Sequence, residues 1–156
     1  MPEKFNDEHS NPFLGERDLK FINSFQTEFI DHIVRQKIRY FVVDYNQTEI
    51  DDIYNESSVK VVSRVVELYA RVALSNPEIV QGRFSSDRKQ TIEVYAQRKH
   101  VFEDYNLTPR IGDFLEFDEK FFEITSMIDD LNTYGQPQFK MMILIKGVLA
   151  RKTDLF

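Results

Sequence analysis

The chain has 156 residues, 42% of them hydrophobic and 29% charged, with 20 basic against 26 acidic side chains and a formal net charge of -6. That length suits one compact domain with a real core, and the acidic balance argues against a strongly basic nucleic-acid binder. Cysteine is absent, which excludes disulfides, thiol catalysis, cysteine zinc sites and iron–sulfur ligation within the chain, and no apolar run approaches the roughly 20 residues of a membrane helix.

Residues 1–14 are polar and broken by Pro2 and Pro12. They read as a flexible arm anchored at Phe5, Phe13 and Leu14, or as a frayed terminus. The acidic start, Met1 to Glu8, lacks the basic and apolar regions of a signal peptide. Residues 15–156 read as one β-rich domain opened by a helix. Leu19, Ile22, Phe25, Phe29 and Ile33 recur at three- and four-residue steps, which predicts one apolar stripe on a helix. Phe21, Ile30 and Val34 widen it, so the helix packs into a core or an interface.

From Ile38 the period changes. Residues 38–45 are β-branched and aromatic and predict a buried strand. Residues 46–58 are polar and read as a loop anchored at Ile50, Ile53 and Tyr54. Residues 59–74 carry both a helical face (Val62, Val66, Tyr69, Ala73) and a run of β-branched residues; the latter favour a strand, bent or bulged. Ser75 to Glu78 is a turn, and residues 81–90 a second loop rich in Gly, Ser and basic residues. Residues 91–102 alternate, with Ile92, Val94 and Ala96 on one face, and predict a half-exposed antiparallel strand.

Pro109 to Asp113 turns the chain into the strand Phe114–Phe117. Asp118-Glu119 is a tight hairpin, and residues 121–128 return. Residues 129–138 read as a loop, residues 139–150 as a last long strand with a bulge or bend at Gly147, and residues 151–156 as a short mixed tail. The helix and the strands at hairpin spacing predict a mainly β fold: a small antiparallel β-barrel or sandwich with an N-terminal α-helix.

No catalytic, metal or cofactor constellation emerges. The five glycines make no phosphate-cradling spacing, and no nucleophile elbow occurs. His9, His32 and His100 lack partners at metal-motif spacing, and the acidic pairs, such as Asp51-Asp52, lack the pattern of a calcium loop. No enzyme activity, cofactor or metal is therefore expected. Two constellations remain. Arg83, Phe84, Arg88 and Lys89 share one loop, fit to touch DNA phosphates or an acidic partner, or else to solubilise a loop tip. The pairs Tyr40-Phe41 and Phe121-Phe122 put one ring on each face of a strand, which serves the core or, with a neighbouring subunit covering the second face, a subunit interface.

The segment order resembles the neck proteins, or head-completion connectors, of T4-type tailed bacteriophages. The resemblance rests on Glu16-Arg17-Asp18-Leu19 opening the helix and on a strand running into Asp51-Asp52-Ile53-Tyr54. It continues with Gln97-Arg98-Lys99-His100-Val101-Phe102 and with Pro109-Arg110-Ile111-Gly112-Asp113-Phe114-Leu115-Glu116-Phe117, followed by Phe121-Phe122-Glu123-Ile124. Tyr134-Gly135-Gln136 falls where those proteins carry a Gln/Gly loop. The resemblance implies a virion structural protein forming a cyclic ring of itself at the neck, assembled in the host cytoplasm. Its expected partners are the portal or an adjacent connector, the tail terminator or tail tube, and packaged DNA passing through an acidic lumen; no membrane is implied. A tail terminator or tail-completion ring, and a monomeric acidic host-binding module, are the alternatives.

Overall fold

A computed structural model of the chain describes residues 15–46, 49–50, 57–81, 86–133 and 136–150. Among these, α1 (Glu16–Glu28) runs on into a π-helical turn (Phe29–Val34). Then come β1 (Gln36–Val43), β2 (Glu49–Ile50), β3 (Ser57–Val59), β4 (Val62–Leu74), β5 (Glu78–Gln81), β6 (Ser86–Lys89) and β7 (Thr91–Gln97). A second π-helical turn (His100–Asp104) leads to β8 (Phe114–Phe117), β9 (Lys120–Thr133) and β10 (Gln136–Leu149). Six strands close into an antiparallel barrel in the order β1–β4–β7–β10–β9–β8, with β8 pairing back onto β1. The mainly β fold with an N-terminal helix is the one the sequence predicts. No helix among the described residues is long and apolar enough to cross a membrane.

Alternation builds the barrel. Ile92, Val94 and Ala96 of β7 point inward and are buried, as are Ile38 and Tyr40 of β1, Leu68 and Ala70 of β4, and Phe122 and Ile124 of β9. A six-stranded barrel is too narrow for a channel, so side chains fill it; each large one contributes roughly 1.5–3 kcal/mol by leaving water. The outward residues pair across strands. Lys146 lies 2.7 Å from Glu93, its register partner, and the Arg71 guanidinium lies 4.2 Å from the centre of its partner ring, Tyr95. Hydrogen bonds from Lys146 and then Tyr95 hold the Glu93 carboxyl below its ordinary range.

β4 is a long strand, as its β-branched residues predict. Its first two-thirds pair with β1 and its end with β7, and a register shift falls opposite Val42 and Val43. Gly147 also sits at a register shift, between β9 and β10. A Cβ there would lie 2.9 Å from the Glu123 carbonyl oxygen and 3.1 Å from Ile92, so the bulge needs the missing side chain.

The turn before β8 is pinned from inside. Asp113 is fully buried. Its Oδ2 accepts from the Tyr40 hydroxyl at 2.6 Å and from the Arg110 N–H at 3.2 Å, and its Oδ1 accepts from the Val43 N–H at 2.9 Å. Gly112 makes the turn with φ 93, and the Tyr45 hydroxyl, which donates to the Ile111 carbonyl, fills the space where a Cβ would stand. Arg110-Ile111-Gly112-Asp113 is thus a folding device that ties the segment before β8 to β1.

Several expectations need correction. The strand predicted to Phe102 stops at Gln97. Arg98, Lys99 and His100 are three consecutive polar residues that no inward–outward alternation accommodates, and the chain turns helical there, burying Val101. Residues 81–90 are not wholly loop: β5 and β6 form a two-stranded ribbon. Residues 129–138 are not wholly loop either, because β9 and β10 remain paired as far as Thr133 and Gln136. Strand pairing uses backbone groups, so polar side chains do not forbid it. Within 46–58 the described residues include the short pair β2–β3. The arm over 1–14, the anchors Ile53 and Tyr54, His9, Asp51-Asp52, Tyr134-Gly135 and the tail 151–156 lie outside the described residues.

Candidate functional site

The helix presents the feature that the barrel does not absorb. Gly15 opens α1: its carbonyl accepts from the Asp18 and Leu19 N–H groups, and its own N–H donates to Asp18 Oδ2 at 3.1 Å. Carboxylates at a helix start suit the dipole. Glu16 is held below its ordinary range by its hydrogen bond to Lys20, 2.7 Å away, and by that ammonium's charge.

The single apolar stripe expected on this helix splits in two. Leu19 and Ile30 are buried, with Ile22, Gln26, Thr27 and Val34 partly so. Thr27 ties this side to the barrel, with its Oγ1 2.8 Å from Gln97 at the end of β7. Phe21, Phe25, Phe29 and Ile33 face outward instead, at 73%, 57%, 39% and 67% exposure. Four residues overshoot a full turn of α-helix, whereas a π-helical turn winds more slowly. The change at Phe29 therefore keeps Ile33 close to the line of the other three. The Arg35 N–H donates to the Ile30 carbonyl at 2.9 Å and closes that turn, with Arg35 in the left-handed region at φ 44. Phe25 and Phe29 stack on each other, ring centres 6.3 Å apart. Four large apolar side chains in a row, without cover among the described residues, form an adhesive surface.

A second exposed apolar surface lies on the β5–β6 ribbon. Ile79 is 71% exposed and Val80 nearly half exposed. As consecutive strand residues they point to opposite faces. Arg88 is the register partner of Ile79, and Lys89 that of Glu78. Arg88 and Lys89, two of the basic residues singled out in the sequence, are exposed here. Arg83 and Phe84 lie outside the described residues, so the four are not seen together.

The aromatic pairs take the core reading that the sequence offered beside a subunit interface. Tyr40 and Phe122 are fully buried inside the barrel. Phe41 and Phe121 lie on its outer side, where their ring centres are 5.5 Å apart, and they join a small cluster with Val43, Phe114, Val62 and Ala150. Residues of the same chain pack against the second face, with Phe121, Val62 and Ala150 partly buried there. The exposed helical row escaped the sequence reading for a definable reason: the periodicity showed that the helix was apolar, and Phe21 widened its stripe, but nothing local told which side the barrel would take.

Between the two π-helical turns lies a cleft of about 380 Å³. His100 stands there with Nδ1 3.7 Å from Asp31 and Nε2 3.5 Å from Asp104. Burial, then the charges of Asp31 and Asp104, push the neighbouring Tyr105 hydroxyl up. The imidazole thus stands between a carboxylate on each turn. Among the described residues, no three His, Cys, Asp or Glu side chains gather to hold a metal.

No family model matches the chain, and no curated protein does. Among solved structures, a chain of the virion of a native gene transfer agent (GTA) particle is similar at 12% identity and a TM-score of 0.44, over 74% of this chain and 94% of that one.

Proposed function

We propose that the protein is a non-enzymatic structural subunit of a phage-like virion, acting as a ring of identical copies at the neck that closes the DNA-filled head and joins it to the tail. The observation that carries this reading is the outward row Phe21, Phe25, Phe29 and Ile33. Rings of roughly 200 Å² each, exposed to these degrees, leave on the order of 400 Å² of apolar area in water, the size at which a patch marks an interaction site. The resemblance to T4-type neck proteins supplies the setting. The closed barrel supports it, because a sheet without free edges is a rigid unit that repeats without uncontrolled strand pairing. The net charge of -6 suits a passage through which DNA slides, since like charge keeps phosphate from sticking. The portal or an adjacent connector is the partner on one side and the tail terminator or tail tube on the other. Arg88 and Lys89 are suited to contact an acidic partner or the DNA end.

Electron microscopy of a lysate made without this protein tests the reading. The expected result is filled heads and finished tails lying unjoined, or emptied heads beside finished tails. Overlong or ragged tails would transfer the protein to the tail terminator, and normal virions would remove it from the particle's structure.

A further inference from the structure

We propose that the aromatic row on α1 of one copy docks on the β5–β6 ribbon of the next, so that the ring closes through two unlike surfaces. This rests on the ring reading above and names the surfaces that make it. A two-fold contact sets one patch against itself, whereas a closed ring of more than two copies needs two different patches on every subunit. The chain carries two such surfaces: the row, and the ribbon face that presents Ile79. Both are exposed, so neither covers the other within one copy.

Size and stability argue for the pairing. A standard interface buries about 800 Å² per partner, somewhat over half of it apolar. The row's area, on the order of 400 Å², supplies most of that apolar share. The ribbon gains the most from being covered, because a two-stranded ribbon alone is at best marginally stable in water, and all of Glu78–Gln81 is exposed.

Charge sets the orientation. On α1, Glu28 stands three residues from Phe25, while Asp18 and Arg17 stand three and four from Phe21, the spacings of neighbours on one helix face. On the ribbon, Arg88 stands opposite Ile79 and shares its face, whereas Val80 and Lys89 lie on the other face. Seating Ile79 against the row at its Phe25 end brings Arg88 toward Glu28.

Mixing tests the pairing without ambiguity. One variant carries Phe21→Asp and Phe25→Asp, the other Ile79→Asp and Val80→Asp; circular dichroism checks that both keep the β-rich fold. Sedimentation velocity of the wild type shows the ring. Each variant alone runs as a monomer, because each retains only one of two complementary surfaces. A one-to-one mixture forms dimers that grow no further, since the intact ribbon of one variant meets the intact row of the other and the remaining surfaces are both spoiled. A mixture that stays monomeric, or a row variant that assembles like wild type because residues 1–14 or another surface occupies the row, overturns the pairing and leaves the ring reading standing. A wild type that stays monomeric at every concentration overturns the ring reading itself. Because the chain has no cysteine, a Phe25→Cys, Ile79→Cys variant gives a second readout. Oxidation yields a ladder of linked copies if row and ribbon meet, and no linked species beyond dimers if they do not.

Discussion

At the scale of single residues, Asp113 and Tyr40 bear the largest local burden. A buried carboxylate must be matched by donors, and three reach it. Tyr40 is itself an acceptor for the Arg110 N–H at 3.0 Å, so removing its hydroxyl takes one of three donors from Asp113 and one of two acceptors from that N–H. Tyr40→Phe is expected to cost about 1–3 kcal/mol at neutral pH, the range for orphaned buried polar groups; urea unfolding measures it. The same substitution changes the pH profile. Burial, then the hydrogen bond to Asp113 and that carboxylate's charge, push the Tyr40 phenol far above its ordinary value of 10. The folded state therefore holds this proton more tightly than the unfolded chain does. Its contribution is complete below pH 10 and falls as the pH rises past the unfolded value. Wild type is expected to lose stability between pH 9 and pH 11 more steeply than Tyr40→Phe, and an equal slope in the two proteins would show that the phenol is not the alkaline weak point. Tyr45 and Tyr105, raised chiefly by burial, and Lys146, raised by its hydrogen bond to Glu93, contribute to the slope that remains in the variant.

At the scale of elements, the β8–β9 hairpin turns on Asp118 and Glu119, both in the left-handed region at φ 53 and 60. A two-residue loop with both residues left-handed matches the twist of its strands, but Glu has no intrinsic preference for that conformation. Glu119→Gly removes a steric cost of roughly 1–2 kcal/mol and adds about half of that in chain entropy. The expected result is a stabilisation near 0.5–1 kcal/mol, read as a higher urea midpoint with an unchanged slope. The Asp-Glu turn was legible in the sequence, as was every strand whose inward face alternates, β7 above all. Gly147 was legible too, because a lone glycine in a strand marks a bulge. The far ends of β9 and β10 and the β5–β6 ribbon were not: away from a core no alternation is imposed, and a polar strand looks like a loop. The candidate site was only half legible. Phe21, Phe25, Phe29 and Ile33 announced a helix, but a helix apolar on two sides does not say which side its own barrel takes. For the pairs Tyr40-Phe41 and Phe121-Phe122 strand period places rings on two faces, but it does not reveal that Phe114 and Ala150 of the same chain pack against the outer ones.

At the scale of the whole molecule, assembly and stability are linked. If copies bind through folded surfaces only, mass action stabilises the fold as concentration rises, by about 2.7 kcal/mol for a hundredfold excess over the dissociation constant. For a chain of this length that is a rise of several degrees in Tm. Wild-type Tm is expected to climb with protein concentration, while the Phe21→Asp, Phe25→Asp variant keeps one Tm at all concentrations. Scanning calorimetry over two decades of concentration decides it.

The seam between β1 and β8 has a consequence for how the chain finds this fold. It is paired over three residues, Arg39↔Glu116, Tyr40↔Leu115 and Phe41↔Phe114, and it joins positions as much as 77 residues apart. The neighbouring hairpins β8–β9 and β9–β10 link residues close in sequence, so their loop-closure entropy is small and they are expected to pair early. The seam must wait until β8 has been synthesised and the sheet has curled. Until that moment β1 and β8 are bare edges on an open sheet, the arrangement most prone to pairing with other chains. Closure is helped by the same four side chains that later hold the barrel shut: Arg39 pairs with Glu116 across the gap, and Tyr40 reaches Asp113. The hydrogen bonds that pin the turn therefore also act as a latch in time, shortening the interval in which a newly made chain can be lost to aggregation.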